Sequence, residues 1–269
     1  MSTSFKGKNY GEIERRGVEH DYDVVRKIDL DYPDSRFVFD LETSDHWFSV
    51  NGFVVHNCCL INYPDMLENG FKIGDAEIEQ PKSIGVATTV STQIVQAVAS
   101  AQYGGSTLSH IDTHWAPYVE MSYKKLLNKV EQGILNEKFV WSELDKEVYD
   151  AMQTFLYQVN SLTTTNGQAP FISISFGLDT SVFGKMITKN YLKVHSEGIG
   201  KDKITPVFPK VIFFLQEGVN MNKEDPSYDL KQDAISCAVK RVYPDWISLP
   251  LNKQTTGAEQ SATTCMGEP

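Results

Sequence analysis

The stretch Phe53-Val54-Val55-His56-Asn57-Cys58-Cys59 ends a strand-like apolar run in an imidazole, a carboxamide and a thiol. These three groups in unbroken succession suit covalent chemistry on the main chain itself. The side-chain nitrogen of Asn57 can attack its own carbonyl carbon, closing a five-membered succinimide and breaking the peptide bond to Cys58. Closure within one residue gains from proximity, worth roughly 7–11 kcal/mol in well-oriented cases, but an amide nitrogen is a poor nucleophile. It needs a proton donor at the scissile peptide, and His56 has the pKa for that work. Cys58, as thiolate, can accept an acyl group from elsewhere. The same three residues also occur as ordinary structure, so their surroundings must decide.

Other polar groups offer different chemistry. His110, Asp112 and His114 stand at alternate positions, which on a strand share one face and can hold a metal. Asn166, Gly167 and Gln168 read as a loop in which Gly167 takes a positive φ and the polar backbone can approach a nucleotide. No GxxxxGK phosphate loop is present. The four cysteines, Cys58, Cys59, Cys237 and Cys265, lack the density of a secreted disulfide framework and form no CxxC pair. On an extended segment Cys58 and Cys59 point to opposite faces, which disfavours a shared site, and Cys59 and Cys237 read as inert packing groups.

Two textures position these residues. Before Cys58, "FVFDLE", "HWFSV" and "FVVH" are short Val- and Phe-rich runs, with Asn51-Gly52 as a tight-turn signal between the last two. This predicts a small all-β element; the first thirty or so residues leave helix or strand open. After Cys58 long helical patterns alternate with short apolar runs. Ser83 caps a helix that Gly104-Gly105 stops, and "YVEMSYKKLLNKVEQG", "SELDKEVYDAMQTFLYQVNSL" and "SYDLKQDAISCAVKRVY" are further helices. Between them "PFISISFG" and "KVIFFLQEG" have the length and continuous apolarity of strands buried on both faces, which predicts a parallel sheet or barrel.

Composition narrows the classes. The 269 residues are 41% hydrophobic, enough for a real core in one or two domains. A formal net charge of −10 with no Lys/Arg cluster argues against a nucleic-acid surface. The amino terminus lacks the apolar core of a signal peptide, and no apolar run is expected to span a bilayer, so a cytoplasmic protein without membrane partners is the default.

The segment "RFVFDLETSDHWFSVNGFVVHNC" resembles the C-terminal splicing blocks of inteins. The resemblance implies that Asn57 cyclises and that Cys58 is the first downstream residue and acyl acceptor. His56 assists, while His46 and Asp40 tune nucleophiles and shuttle protons. Ordinary readings stand beside these: His46 as a partly buried ring next to Trp47, Asp40 as an exposed strand carboxylate. An opening nucleophile and a Thr-x-x-His block are missing before Asp40, and the chain opens with Met1. The expectation is therefore a Hint-type C-terminal half of a split intein, residues 1–57, that requires a cognate N-terminal half.

From Cys58 onward, "NCCLINYPDMLENGFKIGDAEIEQPKSI", "AQYGG", "HIDTHWAPYVE", "TTTNGQAPFISISFG", "PVFPKVIFFLQEGVN" and "DPSYDLKQDAISCAVKRVYPD" resemble the anaerobic, glycyl-radical ribonucleoside-triphosphate reductases. That family implies an α/β barrel of ten strands, of which residues 58–269 are a fragment. It also implies a ribonucleoside triphosphate whose 2′-hydroxyl is replaced by hydrogen, ATP and dNTP effectors, a radical-SAM activase, and a homodimeric assembled enzyme. The glycyl radical would come from a segment absent here. Cys58 matches the family's hydrogen-donating cysteine on the substrate face; Cys58, Asn166 and Met266 are the implied substrate-binding positions. Cys265-Met266-Gly267 is followed by Glu268-Pro269, so Cys265, which precedes the Met, does not take the radical role. A separate C-terminal reductase piece carrying the radical cysteine is expected, with truncation equally open. No metal is expected, because the His110–His114 segment falls in a block that is not the family's metal site. The competing reading is an inactive intein-like scaffold fused to a barrel remnant with a structural or binding role.

Overall fold

The computed structural model describes residues 47–50, 53–56, 59–73, 75–101, 104–163, 167 and 169–256. The chain divides into two compact units, Met1–Asn57 and Cys58–Pro269.

In the first unit β1 (Trp47–Val50) and β2 (Phe53–His56) pair antiparallel, with Val50 opposite Phe53 and Trp47 opposite His56. That register leaves two residues, Asn51 and Gly52, for the connection, the shortest loop that joins a hairpin and one that Asn-Gly favours.

The second unit is mixed α/β. Its central sheet has five strands, β3 (Cys59–Leu60), β6 (Ser106–Leu108), β7 (Ile172–Phe176), β8 (Lys210–Leu215) and β9 (Asp245–Ser248), all parallel and adjacent in chain order. A small antiparallel pair, β4 (Phe71–Ile73) and β5 (Ala76–Ile78), follows α1 (Tyr63–Asn69). The crossovers are α2 (Ile84–Ala101), α3 (Ile111–Glu131) with α4 (Val140–Ser161), α5 (Val182–Glu197) and α6 (Tyr228–Arg241); α7 (Leu249–Thr256) follows β9. Parallel strands linked in sequence by right-handed crossovers place all the connecting helices on one face.

The registers separate the two faces. Leu108, Ile174 and Val211 lie level, as do Phe176 and Phe213, and all join the helices in one core with Trp115, Phe155 and Leu156. Thr107, Ser173 and Lys210 lie level on the opposite face, followed by Ser175, Ile212 and Asp245, then Phe214 and Ile247. The helix-facing side is mainly apolar; the other side carries the hydroxyls of Thr107, Ser173 and Ser175.

Several sequence expectations differ from this arrangement. The α3 helix begins at Ile111, seven residues before the predicted start, and accommodates Pro117 within it. The segment His110–His114, whose alternate residues would share one face only on a strand, is therefore helical from Ile111. Strands β6 and β9 and helix α5 were not predicted, since three- and four-residue strands carry too little periodicity and α5 mixes polar residues with its apolar positions. By length and composition α2 is long and apolar enough to cross a membrane, contrary to expectation. Its Ile84, Ala87, Val90, Ile94 and Val95 are buried in the core, which explains the apolarity.

Candidate functional site

In parallel α/β sheets the loops after the strands' C-terminal ends converge on one rim, where ligands bind. Here β6 runs through Ser109 into His110, the N-cap of α3, whose backbone is left-handed at φ 51°, ψ 49°. A non-glycine residue in that region is uncommon and gathers at functional sites. Two contacts hold it: the His110 amide donates to Ser175 Oγ at 3.0 Å, and the imidazole stacks on Phe214 with ring centroids 5.1 Å apart. His110 thus sits at the mouth of the hydroxyl-bearing face. Burial first, and the neighbouring His114 second, lower its pKa below the usual imidazole range. At neutral pH it is an uncharged donor and acceptor, suited to a hydroxyl more than to an anion.

Asp112 is the second residue of α3, in its first turn, and is wholly buried. Its Oδ1 accepts from the Thr113 amide at 3.0 Å; its Oδ2 accepts from the Gly177 amide at 2.8 Å and the Asp179 amide at 3.1 Å. Burial raises its pKa to about 6 despite those three hydrogen bonds, which favour the charged form. Asn220 completes the clamp: its Nδ2 donates to the carbonyls of Gly177 and Phe214, and its Oδ1 accepts from the Gln216 amide. Asp112 and Asn220 thus tie the ends of β6, β7 and β8 into one rim. Gly177 is required at its centre, because φ is +117° and an added Cβ would stand 3.0 Å from the Phe214 carbonyl oxygen.

Tyr63, at the start of α1, donates to the Ser109 carbonyl at 2.8 Å and meets His114 edge to face. Its pKa is held well above the usual phenol range by burial and then by Asp112, so it stays a neutral donor. Below the mouth, Thr107 Oγ1 and Ser173 Oγ are buried with no hydrogen-bond partner. Buried polar groups normally find partners, so this unmet pair on adjacent strands of one face is a candidate contact for a polar group.

The predicted site residues separate accordingly. His110, Asp112 and His114 do not present ligands on one face: His110 caps the helix, Asp112 is consumed by three amides, and the rings of His110 and His114 are 6.4 Å apart edge to face. Among the described residues no group of three His, Cys, Asp or Glu side chains is placed to hold a metal. Gly167 has the expected positive φ, at 76°. Cys237 is buried and its thiol is pushed up to about 11 by burial, the property of a packing group. The backbone of His56 closes β2 opposite Trp47, and that of Cys59 pairs with Ser106. Asp40, His46, Asn57, Cys58, Asn166, Gln168, Cys265 and Met266 lie outside the described residues. Sequence reasoning missed Ser175, Gly177, Phe214 and Asn220; a Gly directly after an apolar strand was the one available signal.

Fold and rim together define a parallel α/β protein, singly wound, with a polar mouth at the strand ends. The family model for the anaerobic ribonucleoside-triphosphate reductase matches residues 45–268, and the chain belongs to that family. It is 49% identical over 204 residues to the anaerobic ribonucleoside-triphosphate reductase of Enterobacteria phage T4, covering 75% of this chain and 34% of that protein. The Escherichia coli (strain K12) protein of the same description is 44% identical over 215 residues, 79% of this chain and 30% of its own length. The chain thus spans about a third of the length of these relatives. Among solved structures, the Thermotoga maritima anaerobic ribonucleotide reductase in complex with dATP and CTP aligns with a TM-score of 0.50 at 15% identity, over 71% of this chain and 33% of that one, a likeness of fold.

Proposed function

We propose that this chain is a precursor piece of an anaerobic ribonucleoside-triphosphate reductase, joined to an upstream piece by protein trans-splicing at Asn57/Cys58. The observation that carries it is the division of the chain between these two residues. Strand β2 ends at His56, immediately before the boundary, and the whole parallel sheet lies after it.

In the splicing step the Cys58 thiolate attacks the ester or thioester that joins the upstream chain to the opening Ser or Cys of the N-terminal half, forming a thioester at Cys58 Sγ and releasing that Ser or Cys side chain as its hydroxyl or thiol. Asn57 Nδ2 then attacks the Asn57 carbonyl carbon, the Asn57–Cys58 bond breaks, and the leaving nitrogen takes a proton with help from His56. The freed Cys58 amine attacks the thioester, leaving an amide and a thiol. His46 and Asp40 support these proton transfers.

The released unit then serves ribonucleotide reduction as one segment of a larger barrel. The singly wound order and one-sided helices support a barrel fragment, because such a sheet closes by curling its bare face inward. The bare face carries Thr107, Ser173 and Ser175, with neutral His110 at its mouth, groups that exchange hydrogen bonds with a ribose. These four residues act only by holding the nucleoside. Cys58, Asn166 and Met266 would complete the substrate contacts, with Cys58 as the hydrogen donor. The glycyl radical, the activase, the ATP and dNTP effectors and the homodimeric state belong to the assembled enzyme.

The test is mass spectrometry after mixing the chain with the N-terminal half. The expected result is a ligated product whose downstream portion begins at Cys58, and Asn57→Ala stops release of residues 1–57. Ligation unaffected by that substitution contradicts the splicing reading. A second reading draws on the start of the family match at residue 45, two residues ahead of β1, so that the match takes in the whole hairpin. There the hairpin is a fixed part of a reductase scaffold, and the chain keeps its full mass with or without a partner.

A further inference from the structure

Asn220 is polar, yet it has no exposed surface although it stands in the turn that follows β8. A buried carboxamide needs partners for two N–H donors and an oxygen, and this one has all three. Its Nδ2 donates to the Gly177 carbonyl at 2.6 Å and to the Phe214 carbonyl at 2.8 Å, while its Oδ1 accepts from the Gln216 amide at 3.0 Å. Phe176 is the last residue of β7 and is level with Phe213, so Gly177 and Phe214 follow side by side just past the end of that ladder. Asn220 bridges them where strand pairing stops.

Both bridged residues lead to His110. The Phe214 ring lies under the His110 ring, with 5.1 Å between centroids and 21° between planes. The Gly177 amide holds Asp112 at 2.8 Å, and Asp112 stands in the first turn of the helix that His110 caps. The remaining tie runs from the His110 amide to Ser175 Oγ, two residues before Gly177. The aromatic surface beneath the imidazole and the helical turn beside it are therefore both anchored to residues that Asn220 joins. A histidine stays in the left-handed region only where its surroundings hold it there.

We propose that Asn220 is a positioning residue for the mouth of the hydroxyl-bearing face: its carboxamide fixes Gly177 against Phe214 and thereby sets where the His110 ring stands to meet a ribose. This rests on the reading of that face as the nucleoside site and adds the residue that sets its geometry from behind. Being wholly buried, Asn220 touches no ligand and acts only through Gly177 and Phe214. The carboxamide suits the task because aspartate has no N–H for either carbonyl and leucine has neither donor nor acceptor. Gly177 meets the same demand from the other side, since an added Cβ would stand 3.0 Å from the Phe214 oxygen that Asn220 holds. An Asn220 that only closed the turn at Gln216 would leave His110 where it is.

The experiment follows the histidine ring signals of the full chain by NMR, in an Asn57→Ala background that keeps the chain whole, with His110 assigned through His110→Gln. Burial and then His114 hold the His110 pKa below the usual imidazole value, so a ring that leaves its place becomes easier to protonate. Asn220→Ala brings no new charge near His114, Asp112, Tyr63 or Asp179. It is expected to raise the His110 protonation constant by roughly threefold or more, about half a pKa unit. The His110 amide is expected to lose protection against hydrogen exchange at the same time. His195, packed against Tyr191 and Tyr243, serves as the internal control and keeps its titration. Phe214→Leu leaves the Asn220 hydrogen bonds in place, because they reach the main chain, and is expected to raise the His110 constant in the same sense. Asn190→Ala removes another buried carboxamide, one bonded to Asp145 and the Met186 carbonyl, and is expected to leave His110 unchanged. With UTP as the probe, half-saturation of the His110 shift is expected to rise about fivefold in Asn220→Ala, the net worth of one hydrogen bond.

Circular dichroism checks the fold of each variant, and Asn220→Ser, which keeps one donor, replaces Asn220→Ala if the latter does not fold. Native His110 titration in the folded Asn220 variant or in Phe214→Leu, or an equal shift in Asn190→Ala, would each overturn the proposal. Shifted titrations in a chain whose His110 signal UTP never perturbs support the positioning role and sink only the nucleoside reading.

Discussion

Replacing Asp112 by Asn should uncover a loss of stability in mild acid that the native chain masks, because two buried groups now oppose each other there. Below pH 3.8 Asp112 is protonated whether the chain is folded or not. Between 3.8 and about 6 the unfolded chain ionises it while the folded chain keeps the proton, so stability falls as pH rises. The shift of roughly two units corresponds to about 3 kcal/mol, at about 1.4 kcal/mol per unit. His195 works the other way. It is buried between Tyr191 and Tyr243, and burial first, with Arg241 second, depresses its pKa from 6.5 to about 4. Above pH 6.5 it is neutral in both states; as pH falls towards 4 the unfolded chain is protonated first, and a comparable amount of stability, about 3 kcal/mol, is lost.

With both groups present the two slopes largely cancel between pH 4 and 6. Asp112→Asn removes one of them. Urea midpoints measured from pH 4 to 6.5 should therefore show the variant gaining on the native chain by about 3 kcal/mol as pH rises. The Asn amide must also face the Thr113 N–H that the carboxylate now accepts, which adds a penalty independent of pH. A difference between the two chains that stays constant within about 1 kcal/mol across this range would refute the assignment of an ionisation cost to Asp112.

Gly177→Ala should lower the thermal midpoint, because an L residue at φ +117° is strained and its Cβ meets the Phe214 carbonyl; a cost of about 1–3 kcal/mol is expected. An unchanged midpoint would mean that the rim relaxes freely. Iodoacetamide at pH 8 should modify Cys237 far more slowly in the native chain than in urea, since its thiol is buried and pushed up to about 11. Peptide mass mapping checks this, and equal rates in the two conditions would contradict it.

The parts of the structure legible in the sequence are those fixed by local chemistry. Asn51-Gly52 marked a hairpin turn because few residue pairs tolerate its backbone, and the strands flank that pair as expected. Long helices such as α4 announced themselves through repeated apolar positions, and "FISISF" and "KVIFFL" through continuous burial. The rim was not legible, because its members come from three separate strand ends. Asp112 illustrates why. Alternation with two histidines suggested a ligand, but the carboxylate is claimed by amides 65 and 67 residues away, contacts that no local pattern encodes. The left-handed backbone of His110 is equally invisible, since a histidine gives no local sign of it.

Serine illustrates how the two faces of the sheet acquire different fates from one alternation. In "ISISF" the isoleucines and phenylalanine enter the helical core, while Ser173 and Ser175 fall on the opposite face. A strand buried on both sides for stability alone would gain more from valine at both positions, at about 0.8 kcal/mol per buried methylene-sized group. Retaining hydroxyls there, one partnered by His110 and one with no partner, sacrifices that gain. The sacrifice makes sense if the face is an interior to be filled by something polar.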